Sequence, residues 1–256
     1  MPAATAVELI HLATLYHDDV MDEAAVRRGT TSANLRWGNS VAILTGDFLF
    51  ARASALLADL GPEAVRIQAE TFERLVTGQI RETVGPQDGE DSVAHYLAVL
   101  ADKTGSLIAT SARYGAMMAG APPQTVEVVR AYGEALGIAF QLADDLLDVV
   151  GEATQVGKAP GTDLREGVAT LPVLLARTGD DPRDQRLRTL LDGDLTDADR
   201  HAEALRLLQA HPAVGIARDE LGKWVDRART MLTPLPQGPA RTAMSALCDV
   251  VATRVR

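Results

Sequence analysis

Residues 15–29 read LYHDDVMDEAAVRRG. Three aspartates, Asp18, Asp19 and Asp22, and then two arginines, Arg27 and Arg28, end a segment whose upstream half is apolar at helical spacing. Val7, Ile10, Leu12 and Leu15 precede them and Pro2 suits a first turn, so the pattern predicts a helix from about 3 to 22. At 100° per residue, Asp18 and Asp22 fall within about 40° of each other, with Asp19 on the flank. Like charges so placed destabilise a helix by roughly 0.2–0.5 kcal/mol per pair. A solvated face would explain them, and so would a bound cation.

A second copy of the spacing favours the cation. QLADDLLDVVG, residues 141–151, repeats D-D-x-x-D at Asp144, Asp145 and Asp148, again near the end of an apolar helical run, with Gln141 two turns before Asp148 on nearly the same line. A carboxylate stripe among core-like leucines needs compensation. Oxygen ligands without cysteine or paired histidine suit a hard ion, and Mg²⁺ typically keeps waters and bridges to substrate phosphates. Two facing carboxylate triplets would then hold Mg²⁺ on a diphosphate and neutralise it as a leaving group. Arg27, Arg28, Lys103 and Lys158 supply the cations for phosphate oxygens, although each taken alone reads as a surface charge.

Composition sets the frame around these clusters. The 256 residues are 46% apolar but only 4% aromatic, which suits one all-α globular domain over residues 1–256. A formal charge of −10 argues against nucleic acid as partner. The single cysteine, Cys248, excludes an intrachain disulfide and a cysteine metal cluster and suits the cytoplasm. The apolar stretch SVAILTGDFLFARASALLADL is interrupted by Asp47 and Arg52, so neither a transmembrane segment nor a signal peptide is expected.

Further helices are predicted over about 39–60, 62–84, 91–119 and 123–150, broken by Gly61-Pro62, GPQDGED and GAPP. Lys103-Thr104 and Lys158 are placed in or beside breaks. After Gly151, GEATQVGKAPGTDLREGVAT reads as a long functional loop, and helices resume near 170, 197, 214 and 238. That last third reads as packing more than chemistry.

HDDVMDEAAVRRG, DKTGSL, QLADDLLDVVG and GKAPGTDLREGVATLP together resemble the ordered motifs of the trans-isoprenyl diphosphate synthases, the polyprenyl synthetase family, over the whole chain. The resemblance implies a bundle of antiparallel helices around a central cavity, a homodimer, and Mg²⁺-dependent condensation of an allylic diphosphate with isopentenyl diphosphate. Carried over by position, Asp18, Asp19, Asp22, Asp144, Asp145 and Asp148 bind the metal, and Asp18, Asp19, Asp22, Lys103, Asp144 and Asp145 carry the catalysis. Arg27, Lys103, Thr104, Gln141 and Lys158 hold the allylic diphosphate, while His11 and Arg28 belong to the isopentenyl diphosphate site. Ala13 and Thr14, five and four residues before the first aspartate, form the chain-length floor. Both are small, which implies a long polyprenyl product.

Two departures stand out. The N-terminal Gly-Gly-Lys-x-x-Arg element of the family has no counterpart ahead of MPAATAVELIH, so the usual N-terminal helices are expected to be lacking and the first helix to expose apolar surface. Val168 stands where many relatives carry a lysine facing the diphosphate, which implies weaker allylic binding. Two rivals stay open: a terpene cyclase, disfavoured by the all-aspartate second cluster, and a non-catalytic or partner-dependent subunit that binds diphosphate and Mg²⁺.

Overall fold

In the computed structural model, which describes residues 1–27, 29–151, 160–179 and 181–255, the chain is all-α apart from one two-residue hairpin. Proline starts many of the helices, because its missing N–H belongs to the first turn, where no intrahelical partner exists. α1 (Pro2–Met21), α4 (Pro62–Val84) and α7 (Pro123–Val150) begin this way, as do α12 (Pro212–Met231) and α13 (Pro239–Thr253). Between them run α2 (Ala33–Trp37), α3 (Asn39–Ala58), α5 (Ser92–Leu100), α6 (Ser106–Met118) and α8 (Thr162–Arg165). α9 (Leu171–Thr178), α10 (Gln185–Leu191) and α11 (Ala198–Ala210) complete the set.

Two cores form. One gathers Ala3, Ala6 and Ile10 of α1, Ala53 and Leu57 of α3, Ala64, Ile67 and Leu75 of α4, and Tyr114 of α6. The larger surrounds α7, whose Leu136, Ala139, Leu142, Ala143 and Leu146 are buried along most of its length against the C-terminal helices. Tyr132 ties α7 to α13 through a hydroxyl donated to the Met244 carbonyl at 2.8 Å.

Several expectations change. The predicted helix over 91–119 is interrupted by a π-helical turn, Ala101–Gly105, so Lys103 and Thr104 sit within a helical run and not in a loop. The hairpin Val26–Arg27 with Thr30–Thr31, with Gly29 at φ 77°, was not legible from pattern, since two-residue strands have no period. α3 has the length and composition of a membrane span despite Asp47 and Arg52. In the fold only about a fifth of that span is buried, at positions such as Ala42, Gly46, Ala53 and Leu57. α1 is not the apolar face left open: Val41, Leu44 and Phe48 of α3 and Ile80 and Val84 of α4 are exposed, whereas Ile10 and Ala13 are buried. The loop after Gly151 is described only from residue 160, where α8 begins almost at once, and Lys158 and Arg28 lie outside the described residues.

Candidate active site

α1, α3 and α4 border an open cavity of about 360 Å³. Asp18, His17, Gln79 and Lys103 stand among its lining residues, with Thr14, Ile43, Phe72, Leu75 and Val76 completing much of the wall. Down α4, Phe72 lies about 10 Å from Gln79 at 1.5 Å rise per residue. Beneath it the Phe50 and Phe72 rings meet with centroids 4.1 Å apart. The arrangement is a charged mouth over an apolar shaft.

The first aspartate cluster divides its labour. Asp18 faces the cavity, where burial, opposed by nearby Lys103 and reinforced by Asp22, lifts its carboxyl to about 6. Asp19 turns the other way and is buried. Its Oδ1 accepts from Arg27 Nε at 2.7 Å and its Oδ2 from the Ala33 backbone N–H at 3.0 Å. The carboxylate thus fixes the chain between α1 and α2 and sets the hairpin that carries Arg27.

The second cluster divides between two buried carboxylates and an exposed one. Asp145, 6% exposed, accepts from the Tyr96 hydroxyl and from Gln141 Nε2 at 2.9 Å, and Gln141 Oε1 in turn accepts from Thr104 Oγ1 at 2.9 Å. Burial, partly offset by those two hydrogen bonds, pushes the Asp145 carboxyl up to about 6. Burial together with the adjacent Asp145 carboxylate raises the Tyr96 phenol well above its ordinary range. Asp148 accepts from the backbone N–H groups of Thr162 at 3.0 Å and Asp163 at 3.1 Å, so it caps α8 from a distance. Asp144 is half-exposed and pairs with Arg254 at 3.1 Å, whose guanidinium also lies 4.6 Å from the Phe140 ring centroid. The C-terminal segment, read from sequence as packing more than chemistry, therefore reaches Asp144.

The π-helical turn stands between the clusters. Lys103 reaches into the cavity beside Asp18 and pairs with Glu82, while Thr104 joins the Gln141–Asp145 chain. Such turns often mark functional positions, because the extra residue re-aims side chains within a helix. Gly78 of α4 permits the approach: a Cβ there would lie 2.9 Å from Asp102 Cβ and 3.0 Å from Lys103 Cγ.

Thr14 lines the shaft, but Ala13 does not. It is buried at the α1–α3 crossing, where its carbonyl would lie 3.0 Å from a Cβ placed on Gly46. His11 is half-buried on α1, its carbonyl accepting from Thr14 Oγ1 at 2.8 Å. The cavity-lining histidine is His17, 3.3 Å from Asp47 and 3.2 Å from the Ile43 carbonyl. Tyr96, Glu82, Gln79, His17 and Arg254 were invisible to sequence reasoning. No spacing rule links Tyr96 to Asp145 or Arg254 to Asp144, although Gln79 and Glu82 sit beside Gly78, a mid-helix glycine that signals close approach.

No three His, Cys, Asp or Glu side chains converge on one point among the described residues. Mg²⁺ does not require that, since it commonly takes one or two carboxylates and fills its octahedron with water and phosphate oxygens. Gln79 Oε1 is buried without a hydrogen-bond partner among the described residues, and Gln79 borders the cavity beside Asp18. An acceptor left open in a carboxylate-bearing mouth suits a metal-bound water. The hard-oxygen donor set fits a divalent cation.

Comparison with known proteins identifies the family and the fold. Residues 1–208 match the profile of the family Polyprenyl synthetase. A nonaprenyl diphosphate synthase of Mycobacterium tuberculosis is 52% identical over 252 residues, covering 98% of this chain and 75% of that protein. The crystal structure of geranylgeranyl pyrophosphate synthase from Corynebacterium glutamicum, complexed with calcium and isoprenyl diphosphate, superposes with a TM-score of 0.88 at 46% identity, covering 99% of this chain and 77% of that one. A decaprenyl diphosphate synthase from Rhodobacter capsulatus gives 0.89 at 36% identity, covering 100% and 79%.

Proposed function

The chain belongs to the polyprenyl synthetase family, and from that premise we propose how its residues carry the reaction of a polyprenyl diphosphate synthase. The protein is a prenyltransferase that joins an allylic diphosphate to isopentenyl diphosphate. The allylic carbon–oxygen bond breaks and diphosphate leaves. The isopentenyl double bond attacks the resulting cation, and loss of a proton yields a diphosphate longer by one five-carbon unit.

The observation that carries the assignment of roles is the cavity itself, with Asp18, Lys103 and Gln79 at its charged mouth and Phe72, Leu75 and Val76 along its apolar shaft. A divalent cation, Mg²⁺ in this reading, would when bound neutralise charge on the departing diphosphate. Asp18 on α1, Asp22 just beyond its end, and Asp144 and Asp145 on α7 would hold it. Asp19 and Asp148 serve the site indirectly, by keeping the hairpin and α8 in place through backbone amides. Arg27, Lys103, Thr104, Gln141 and Lys158 orient the allylic diphosphate, with His11 and Arg28 serving isopentenyl diphosphate. The apolar shaft takes the growing hydrocarbon chain, and Thr14, small and cavity-facing, leaves room for a long product.

The exposed apolar row on α3 and α4 supports a homodimer, since a second copy would cover Leu44, Phe48, Ile80 and Val84 together. Sedimentation of the purified chain is expected to give a dimer, and a monomer would exclude that arrangement. The charge and the lone cysteine support a cytoplasmic protein.

The direct test is incubation of the purified chain with labelled isopentenyl diphosphate, an allylic C10 to C20 primer and Mg²⁺, with products analysed by mass spectrometry. Polyprenyl diphosphates longer than the primer are expected. Hydrocarbon from a C15 diphosphate alone would instead identify a cyclase. Primer bound but not extended would identify a partner-dependent subunit.

A further inference from the structure

The π-helical turn that presents Lys103 and Thr104 is held from behind by a charge network that no part of the reaction described above uses. Arg74 of α4 donates from Nε to Asp102 Oδ1 at 2.9 Å, from a terminal nitrogen to the Ala101 carbonyl at 3.1 Å, and to Glu134 Oε1 of α7 at 2.7 Å. Asp102, with a side chain 14% exposed, also takes Arg81 at 2.8 Å, and Glu134 takes Arg130 at 2.7 Å. One guanidinium therefore joins α4, the turn and α7.

The glycines at these crossings allow the elements to approach but do not fix the turn's rotation. A Cβ on Gly137 would lie 2.7 Å from Gly105 Cα, so the backbone of the turn touches α7 directly. Ile108 and Ile138 pack beside this crossing, and directional bonds add the angular constraint that apolar contact does not supply. Two carbonyls of the turn accept from side chains. Arg74 takes the Ala101 carbonyl, and the Ser106 hydroxyl takes that of Asp102 at 2.5 Å. Asp102 immediately precedes Lys103 and Thr104, so any rotation of its carboxylate about the axis swings both of their side chains.

We propose that Arg74, through Asp102 and Glu134, is a positioning residue that holds the π-helical turn in the rotation at which Lys103 meets the allylic diphosphate at the cavity mouth and Thr104 meets Gln141. The proposal rests on the diphosphate reading of the site. Arginine is needed because its planar fork serves three acceptors at once, whereas a lysine is a single point charge. Loss of Arg74 still leaves Asp102 paired with Arg81 and Glu134 with Arg130, so the variant retains a compensated charge balance and is expected to fold.

The test compares the wild-type chain with Arg74→Met, Arg74→Lys and Asp102→Asn. Affinity for inorganic diphosphate with Mg²⁺ is measured by calorimetry, alongside hydrogen exchange of the amides of residues 101–106. Arg74→Met should weaken diphosphate binding and raise KM for the allylic substrate about tenfold or more, as misplacement of a binding group does. KM for isopentenyl diphosphate should stay unchanged, and exchange in the turn should quicken. Arg74→Lys should recover part of the affinity, and Asp102→Asn should fall between. Wild-type affinity and exchange in Arg74→Met would overturn the positioning role while leaving the function intact. Failure of the wild-type chain to bind Mg²⁺ and diphosphate would overturn both.

Discussion

Replacing Asp145 by Asn should change how stability responds to pH in a way that can be worked out from its surroundings. Burial lifts this carboxyl from an ordinary 3.8 to about 6, and the Tyr96 and Gln141 hydrogen bonds recover only part of the cost of its charge. A gap of about two pH units is worth about 3 kcal/mol. The folded protein holds this proton more tightly than the unfolded chain does. Stability is therefore fully present below about pH 4 and is lost as pH rises through about 6. Asparagine stays neutral throughout, so it removes that loss. Its carbonyl can still accept from Gln141, but its amide meets the Tyr96 oxygen and leaves the phenol proton without an acceptor, at about 1–2 kcal/mol at every pH. Urea unfolding in metal-free buffer should then find the variant less stable than wild type by about that amount at pH 4, and more stable by about 1–2 kcal/mol at pH 8. Adding Mg²⁺ and diphosphate at pH 8 should reverse the order, because ligand binding stabilises the wild type far more than the variant. A stability difference that stays constant from pH 4 to 8 would refute the reasoning.

Other substitutions probe the shaft, the crossing and the C-terminal contact. Thr14→Phe should shorten the product by at least one five-carbon unit in mass spectrometry, because Thr14 lines the shaft, whereas Ala13→Phe should mainly lower the melting temperature, because Ala13 is packed at 2% exposure between α1 and α3. Gly137→Ala should destabilise the fold by about 1–3 kcal/mol, since its Cβ would press on the backbone of the π-helical turn and overpacking costs that much; unchanged urea unfolding would show that α7 can yield. Arg254→Ala should lower the Mg²⁺ concentration at half-maximal binding several-fold in calorimetry, because Arg254 occupies an Asp144 oxygen that a metal would need.

The sequence by itself determined the architecture and the chemistry. Pro2, Pro62, Pro123, Pro212 and Pro239 mark helix starts because proline lacks the one N–H a first turn can spare, and long apolar periods between them leave few alternatives to a helical bundle. Two D-D-x-x-D spacings with a nearby double arginine announce a hard cation and an anionic substrate, since nothing else would favour so many carboxylates in apolar helices. Tertiary structure decided which carboxylates face the cavity. Asp18 and Asp19 are adjacent in sequence and equivalent in charge, yet one borders the shaft and the other is consumed by Arg27 and a backbone amide. In the second cluster Asp145 is engaged by Tyr96 and Gln141 and Asp148 by the backbone of residues 162 and 163, while Asp144 is exposed. Helical periodicity reports an angle about one axis. The identity of whatever lies across that axis depends on contacts between residues far apart in the chain, such as Arg74 with Glu134 or Asp144 with Arg254, and no local pattern encodes them.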